Sequence, residues 1–179
     1  MIIKILIGVA AILAVLLTVV AMQPGTFRIE RTATLGAPVG TVFAQVNDLH
    51  KWEAWSPWAK LDPTAKNTFE GPPTGVGAAF VWSGNNQIGE GRMTITDSRS
   101  NELVRFRLDF LRPFKATNTA EFAFKPEGDK TVVTWSMSGT NNLVGKAMSL
   151  IMNCDKMLGG FFEQGLAQLD SVAKTAATN

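Results

Sequence analysis

Hydrophobic and polar positions divide the chain into three unlike stretches. The first, ILIGVAAILAVLLTVVAM over residues 5–22, carries no charge. Wound as a helix it spans about 27 Å, close to the ~30 Å hydrocarbon thickness of a bilayer. Lys4 stands before it, able to snorkel to the interface, and Gln23-Pro24-Gly25 ends it. Residues 1–25 are therefore expected to form a transmembrane anchor. A cleaved signal segment is the alternative, although Val19-Val20-Ala21 is a poor cleavage site. Lys4 and the amino terminus nearly balance Arg28 and Arg31 across the segment. The expected placement is single-pass, with the domain on the extracytoplasmic (periplasmic) side.

The second stretch, 27–139, alternates with the period of strands. A strand is expected over 27–34. A short helix follows, with Pro38 in its first turn and Val42, Phe43 and Val46 on one face, ending at Asn47-Asp48. A second helical piece is expected over 49–55. Strands then follow over 67–71, 75–83, 87–98, 102–112, 115–125 and 131–139, separated by turn residues such as Gly71-Pro72-Pro73 and Glu127-Gly128-Asp129. The alternation is clearest where Val104, Phe106, Leu108 and Phe110 interleave with Arg105, Arg107 and Asp109. Ala116, Ala120, Phe122 and Phe124 repeat it, as do Val133, Trp135 and Met137. Together these faces make a broad, apolar, aromatic concave surface.

In the third stretch the period changes to that of a helix. Met148, Ile151, Leu158, Phe162, Leu169 and Val172 recur in steps of three, four or seven, which predicts one helix over 143–174. Asn141 and Asn142 stand ready to cap it. Such a helix is about 45 Å long and needs a large partner surface, which the strands supply. Gly159-Gly160 falls mid-helix, at about 1 kcal/mol each against Ala. Close strand approach, room for a ligand or a kink would each offset that cost. With Met148, Met152 and Met157 nearby, the pair suggests a loosely filled interior around Phe162.

Composition narrows the function classes. Of 179 residues, 46% are hydrophobic and 18% charged, with a net charge of +2 and no basic cluster. That speaks for a packed core and against nucleic-acid binding. Cys154 is the only cysteine, so no intrachain disulfide forms, and on the helix it reads as a small apolar residue. One His and one Cys make no metal set, and no phosphate loop is present, so no metal and no cofactor are expected. His50 beside Asp48 reads as a surface histidine. Glu90 and Arg92 share a strand face and are expected to pair there. Trp52, Trp55 and Trp58 fit a core plug, a ligand wall or an interfacial belt.

A strand, two short helices, a run of antiparallel strands and one long C-terminal helix is the element order of the helix-grip fold. The chain resembles the SRPBCC superfamily of START and Bet v 1-like proteins, in particular its polyketide cyclase/dehydrase branch. Ala37-Pro38 with Val42-Phe43 carries the resemblance, as do Asp48 and Trp52-Glu53-Ala54-Trp55-Ser56-Pro57-Trp58. Later in the chain Asp155-Lys156, Gly159, Phe162-Glu163 and Gly165-Leu166 carry it too. The resemblance implies an α+β domain over 26–179, with the antiparallel sheet wrapped around the C-terminal helix. It also implies a hydrophobic small molecule or lipid bound between the two. The cavity-wall residues would be Trp55, Trp58, Phe80, Phe106, Phe110, Asn118, Phe122, Trp135, Met137, Met148, Leu158 and Phe162. Asn118 is the polar member, on an inward face where it needs a partner. No catalytic constellation is visible. The expectation is a monomeric, membrane-tethered binding domain. A cyclase or dehydratase-like enzyme and a filled, non-binding scaffold are the alternatives.

Overall fold

The computed structural model describes residues 2–151 and 153–178. Helix α1, Ile2–Ala21, holds no buried residue and meets the domain at α3 (Leu143–Ile151), where Lys146 Nζ donates to the Ala21 carbonyl. Its apolar composition and length suffice to cross a bilayer. Strand β1 (Thr26–Leu35) leads to α2 (Val39–Asn47) and a 3₁₀ turn at Leu49–Ala54. Six strands follow: β2 (Lys66–Glu70), β3 (Ala79–Ser83), β4 (Glu90–Arg99), β5 (Leu103–Arg112), β6 (Ala116–Glu127) and β7 (Lys130–Thr140). The chain closes with α3 (Leu143–Ile151) and α4 (Cys154–Thr178).

The seven strands form one sheet in the order β1-β7-β6-β5-β4-β3-β2, and every neighbouring pair is antiparallel. β1 returns to pair with β7, matching Thr26 to Thr140 and Leu35 to Thr131. The sheet therefore grips what lies on its concave side, as the α+β helix-grip expectation requires. The alternating positions do what their period implies. Ile29, Leu35, Val104, Phe106, Phe122, Val133 and Trp135 are buried, and the intervening polar residues face outward.

The C-terminal stripe is two helices rather than one. The break falls at Asn153, whose Oδ1 accepts from the Lys156 N–H at 2.9 Å and caps a new start. Asp155 in the first turn suits the positive end of that helix. Asn142 caps α3 in the same way, accepting from the Gly145 N–H at 2.9 Å. Met152 lies outside the described residues, as do the side chains of Ile151 and Cys154. α4 packs along β1 and α2, burying Phe162, Leu166, Leu169 and Ala173.

Gly159 accommodates a close approach by a strand residue. A Cβ there would collide with the Arg31 guanidinium from β1. Arg31 lies across the helix at this glycine. Its Nε donates to Glu163 Oε1 at 2.7 Å and its Nη2 to Asp155 Oδ2 at 3.1 Å. The loosely filled interior expected around Phe162 is not found. That ring is 2% exposed and stacks face to face on Trp135, because α4 sits close to β1 and β7 at the clasp.

Candidate functional site

The concave side has a closed half and an open half. In the closed half Trp135 is the hub. Its ring stacks on Phe162 at 4.2 Å between centroids and on Phe122 at 4.6 Å. Trp52, Trp55 and Trp58 meet it edge-on at 6.4, 6.0 and 5.8 Å. The tryptophans at 52 and 55 are core, tied by indole N–H bonds to the carbonyls of Val46 and Gln45. Trp135 Nε1 is different: it is buried and has no partner among the described residues. A buried N–H left unpaired costs about 1–3 kcal/mol.

The open half is an aromatic lane on the inward faces of β2 to β5. Phe69, Phe80, Trp82 and Phe110 follow one another at 5.4, 6.0 and 5.9 Å between ring centroids. The register places them together. Phe80 pairs with Met93, Met93 with Leu108, and Leu108 with Asn118. Trp82 pairs with Gly91, Gly91 with Phe110, and Phe110 with Ala116. Phe80, Trp82, Leu108 and Phe110 stay half-buried, while Phe69 is 42% exposed. Asn118 is buried at the edge of the lane, between Leu108 and Gly139 in the register.

The groups named from sequence as the cavity wall thus sort by place. Trp55, Phe106, Phe122, Trp135, Met137 and Phe162 are buried in the closed half. Trp58, Phe80, Phe110 and Leu158 are half-buried and Asn118 borders the lane. Met148 is 39% exposed on α3. Sequence reasoning passed over Trp82 and Phe69. The signal for Trp82 was present, since it sits two positions after Phe80 and must share its face. Phe69 needed the β2–β3 register, which no sequence period supplies.

Two open hollows are found among the described residues. One, of about 540 Å³, is on the outer face and bears Arg28, Thr117, Thr119, Ser138 and Thr140. The other, of about 260 Å³, lies at the β2 edge and includes His50, Phe69, Pro72 and Pro73. His50 stacks on Phe69 at 4.0 Å, and its Nδ1 lies 3.2 Å from Asp48 Oδ1.

Charged groups serve the framework. Asp62 accepts from the Thr64 hydroxyl at 2.7 Å and from the Asn85 N–H at 2.7 Å, which hold its carboxyl below the usual range and tie loop 56–65 to the β3–β4 hairpin. The Thr117 hydroxyl does the same for Asp109, helped by Arg107. Arg31 lowers Asp155 and is itself raised by Asp155 and Glu163. Glu90 and Arg92 do not pair with each other. Arg92 reaches past β3 to Glu70 on β2 at 2.6 Å, and Glu90 meets Arg112, its direct partner in the β4–β5 register, at 2.9 Å. Among the described residues no three His, Cys, Asp or Glu side chains are placed to hold a metal.

Residues 26–174 match the family described as polyketide cyclase / dehydrase and lipid transport. The chain belongs to this family. The SRPBCC resemblance read from the sequence therefore holds, and the match runs from the start of β1 into the last turns of α4. Solved structures agree on the fold. A Chromobacterium violaceum protein aligns at 14% identity with TM-score 0.58, covering 84% of this chain and 97% of its own. The di-domain ARO/CYC StfQ from the steffimycin biosynthetic pathway aligns at 12% identity with TM-score 0.60, covering 86% of this chain and 52% of its own. Ara h 8.0201 aligns at 9% identity with TM-score 0.57, covering 87% of this chain and all of its own. No curated protein matches the chain.

Proposed function

We propose that the chain binds a hydrophobic small molecule or lipid on the aromatic lane of its concave face, beside the C-terminal helix, while α1 anchors it in a membrane. The observation that carries this is the half-exposed run Phe69, Phe80, Trp82 and Phe110 on an otherwise buried concave face. Apolar rings left accessible on an inward face gain by being covered. A ligand burying ~300 Å² there gains several kcal/mol at about 25 cal/mol per Å², before ordering losses. Phe80, Phe110 and Asn118 would touch it first, with Trp58 and Leu158 on the helix side. Asn118 would supply the hydrogen bond to a ligand hydroxyl or carboxyl. Met148 would stand at the entrance. The six buried members of the wall would be reached only by a ligand that lifts α4. With the domain outside the cytoplasm, as the sequence reading expects, the tether would keep it near its lipid source.

A cyclase or dehydratase-like activity is the second reading, favoured by the family description and the likeness to StfQ. Proton-transfer chemistry would need an acid or base within hydrogen-bond reach of the ligand. His50 stacks on Phe69 at the β2 end, while the stretch from Phe80 to Phe110 presents rings, Met93, Leu108 and an amide, which favours binding. Native mass spectrometry of the detergent-solubilised full chain is expected to show a co-purified apolar ligand. Tryptophan fluorescence should respond to fatty acids or sterols, and Trp82→Ala or Phe110→Ala should weaken that response tenfold or more, about 1.4 kcal/mol. A chain that carries no ligand and responds to none would leave the filled scaffold. Turnover of a bound polyketide-like chain would establish the enzyme.

A further inference from the structure

We propose that α3 and the β5–β6 loop form a second membrane-contacting surface, an in-plane foot that rests in the headgroup layer beside the exit of α1. This builds on the anchored reading above. Leu143, Val144, Met148 and Leu150 are 67, 50, 39 and 46% exposed on a helix of nine residues. Positions 143, 144, 147 and 148 fall on one face, with Lys146 and Ser149 off it. Nine residues rise only about 13.5 Å, too short to cross ~30 Å of hydrocarbon, so such a helix lies along the interface.

The β5–β6 loop adds Leu111 and Phe114, 47 and 61% exposed, with Lys115 beside them. The register brings both elements to the end of the sheet where α1 attaches. Thr26 pairs with Thr140, Asn118 with Gly139 and Phe110 with Ala116. Continuity with α1 selects a bilayer as the occupant. The Asn141 N–H donates to the Gly25 carbonyl at 2.9 Å, and its side chain to the Pro24 carbonyl at 3.3 Å. Lys146 Nζ donates to the Ala21 carbonyl at 3.0 Å, at the free end of α1. If α1 spans a membrane, these bonds hold α3 within a few residues of its surface. Lys115 then meets anionic headgroups while Phe114 and the α3 face enter the acyl boundary. Trp82 and Phe110 lie toward the same end, so an apolar ligand would pass from the acyl layer to the lane without crossing water.

The test uses the full chain with Cys154→Ser, reconstituted into phosphatidylcholine–phosphatidylglycerol vesicles containing nitroxide-labelled lipid. An environment-sensitive fluorophore is placed on Val144→Cys, Phe114→Cys, Lys125→Cys or Leu13→Cys in turn, with folding checked by circular dichroism. Lys125 stands near the β6–β7 turn at the opposite end of the sheet and reports water. Leu13 reports the span. Labels at 144 and 114 should shift to the blue and lose roughly half their intensity or more to the nitroxide lipid, while 125 keeps its own. Labels at 144 and 114 that match 125, with Leu13 quenched, overturn the foot and leave the anchor standing. An unquenched Leu13 overturns both.

Discussion

Phe162 shows how one side chain reports on the filling of the interior. It is 2% exposed and lies 4.2 Å from the Trp135 ring with 7° between the planes. Phe162→Ala removes that stack and leaves a cavity which α4, held at the Arg31 clasp, has little freedom to close. The expected loss is about 3–5 kcal/mol in a denaturant melt followed by circular dichroism. A loss near 1 kcal/mol would mean that the ring already borders open space. Trp135 offers the complementary test. Its Nε1 is buried without a partner. Trp135→Phe deletes the unpaired donor together with some ring volume, so the stability change should be small for a core position, within about 1.5 kcal/mol. Loss of apolar-ligand affinity in that variant, measured by native mass spectrometry, would place the indole N–H at a ligand acceptor deep in the closed half.

Among the elements, the register of α4 on β1 depends on Arg31 reaching over Gly159 to Asp155 and Glu163. The carboxyl of Asp155 titrates below its ordinary value because Arg31 stabilises the charged form. Its folded pKa is therefore below the unfolded one. The clasp contributes above the ordinary carboxylate pKa of about 3.9 and is lost as pH falls through the lower folded value. Hydrogen exchange in the first turns of α4 should accelerate over that acid interval and not between about pH 5 and 8. Arg31→Met should flatten the dependence. Unchanged acid sensitivity in that variant would assign the effect to other carboxylates. Gly159→Ala should disturb the same turns at neutral pH, since its Cβ occupies the guanidinium position.

At the scale of the whole molecule, α1 buries nothing in the domain, whereas the domain closes its own core from Ile29 to Ala173. Deleting residues 1–22 should therefore leave cooperative thermal unfolding in detergent-free buffer, with near-unchanged near-ultraviolet dichroism. Loss of that transition would show that the domain depends on its anchor. The full chain should pellet with membranes and resist carbonate extraction. N-terminal sequencing that began at or near Met22 in the membrane fraction would establish cleavage instead.

Much of this organisation is legible in the residues. The uncharged run before Gln23, the two-residue alternation at Val104, Phe106 and Leu108, and the helical stripe through Phe162 and Leu169 each state a local geometry. These periods follow from backbone dimensions that every sequence shares, so they survive without knowledge of neighbours. They also fix which residues share a face, as Asn118 does with Ala120 and Phe122. Periodicity cannot say what covers an inward face. Phe122 and Phe110 alternate identically, yet one is sealed under the tryptophans and the other lies on the open lane, because α4 and the 3₁₀ turn pack at one side of the sheet. The break at Asn153 overturns the single helix expected over 143–174, since an Asn within an apolar stripe can cap a new helix as well as face solvent. Gly159 had a reason that lay 128 positions away, in Arg31. Local chain geometry is written in sequence order. Which apolar face meets which, and which is left uncovered, depends on contacts between residues far apart in the chain, and only the folded structure decides them.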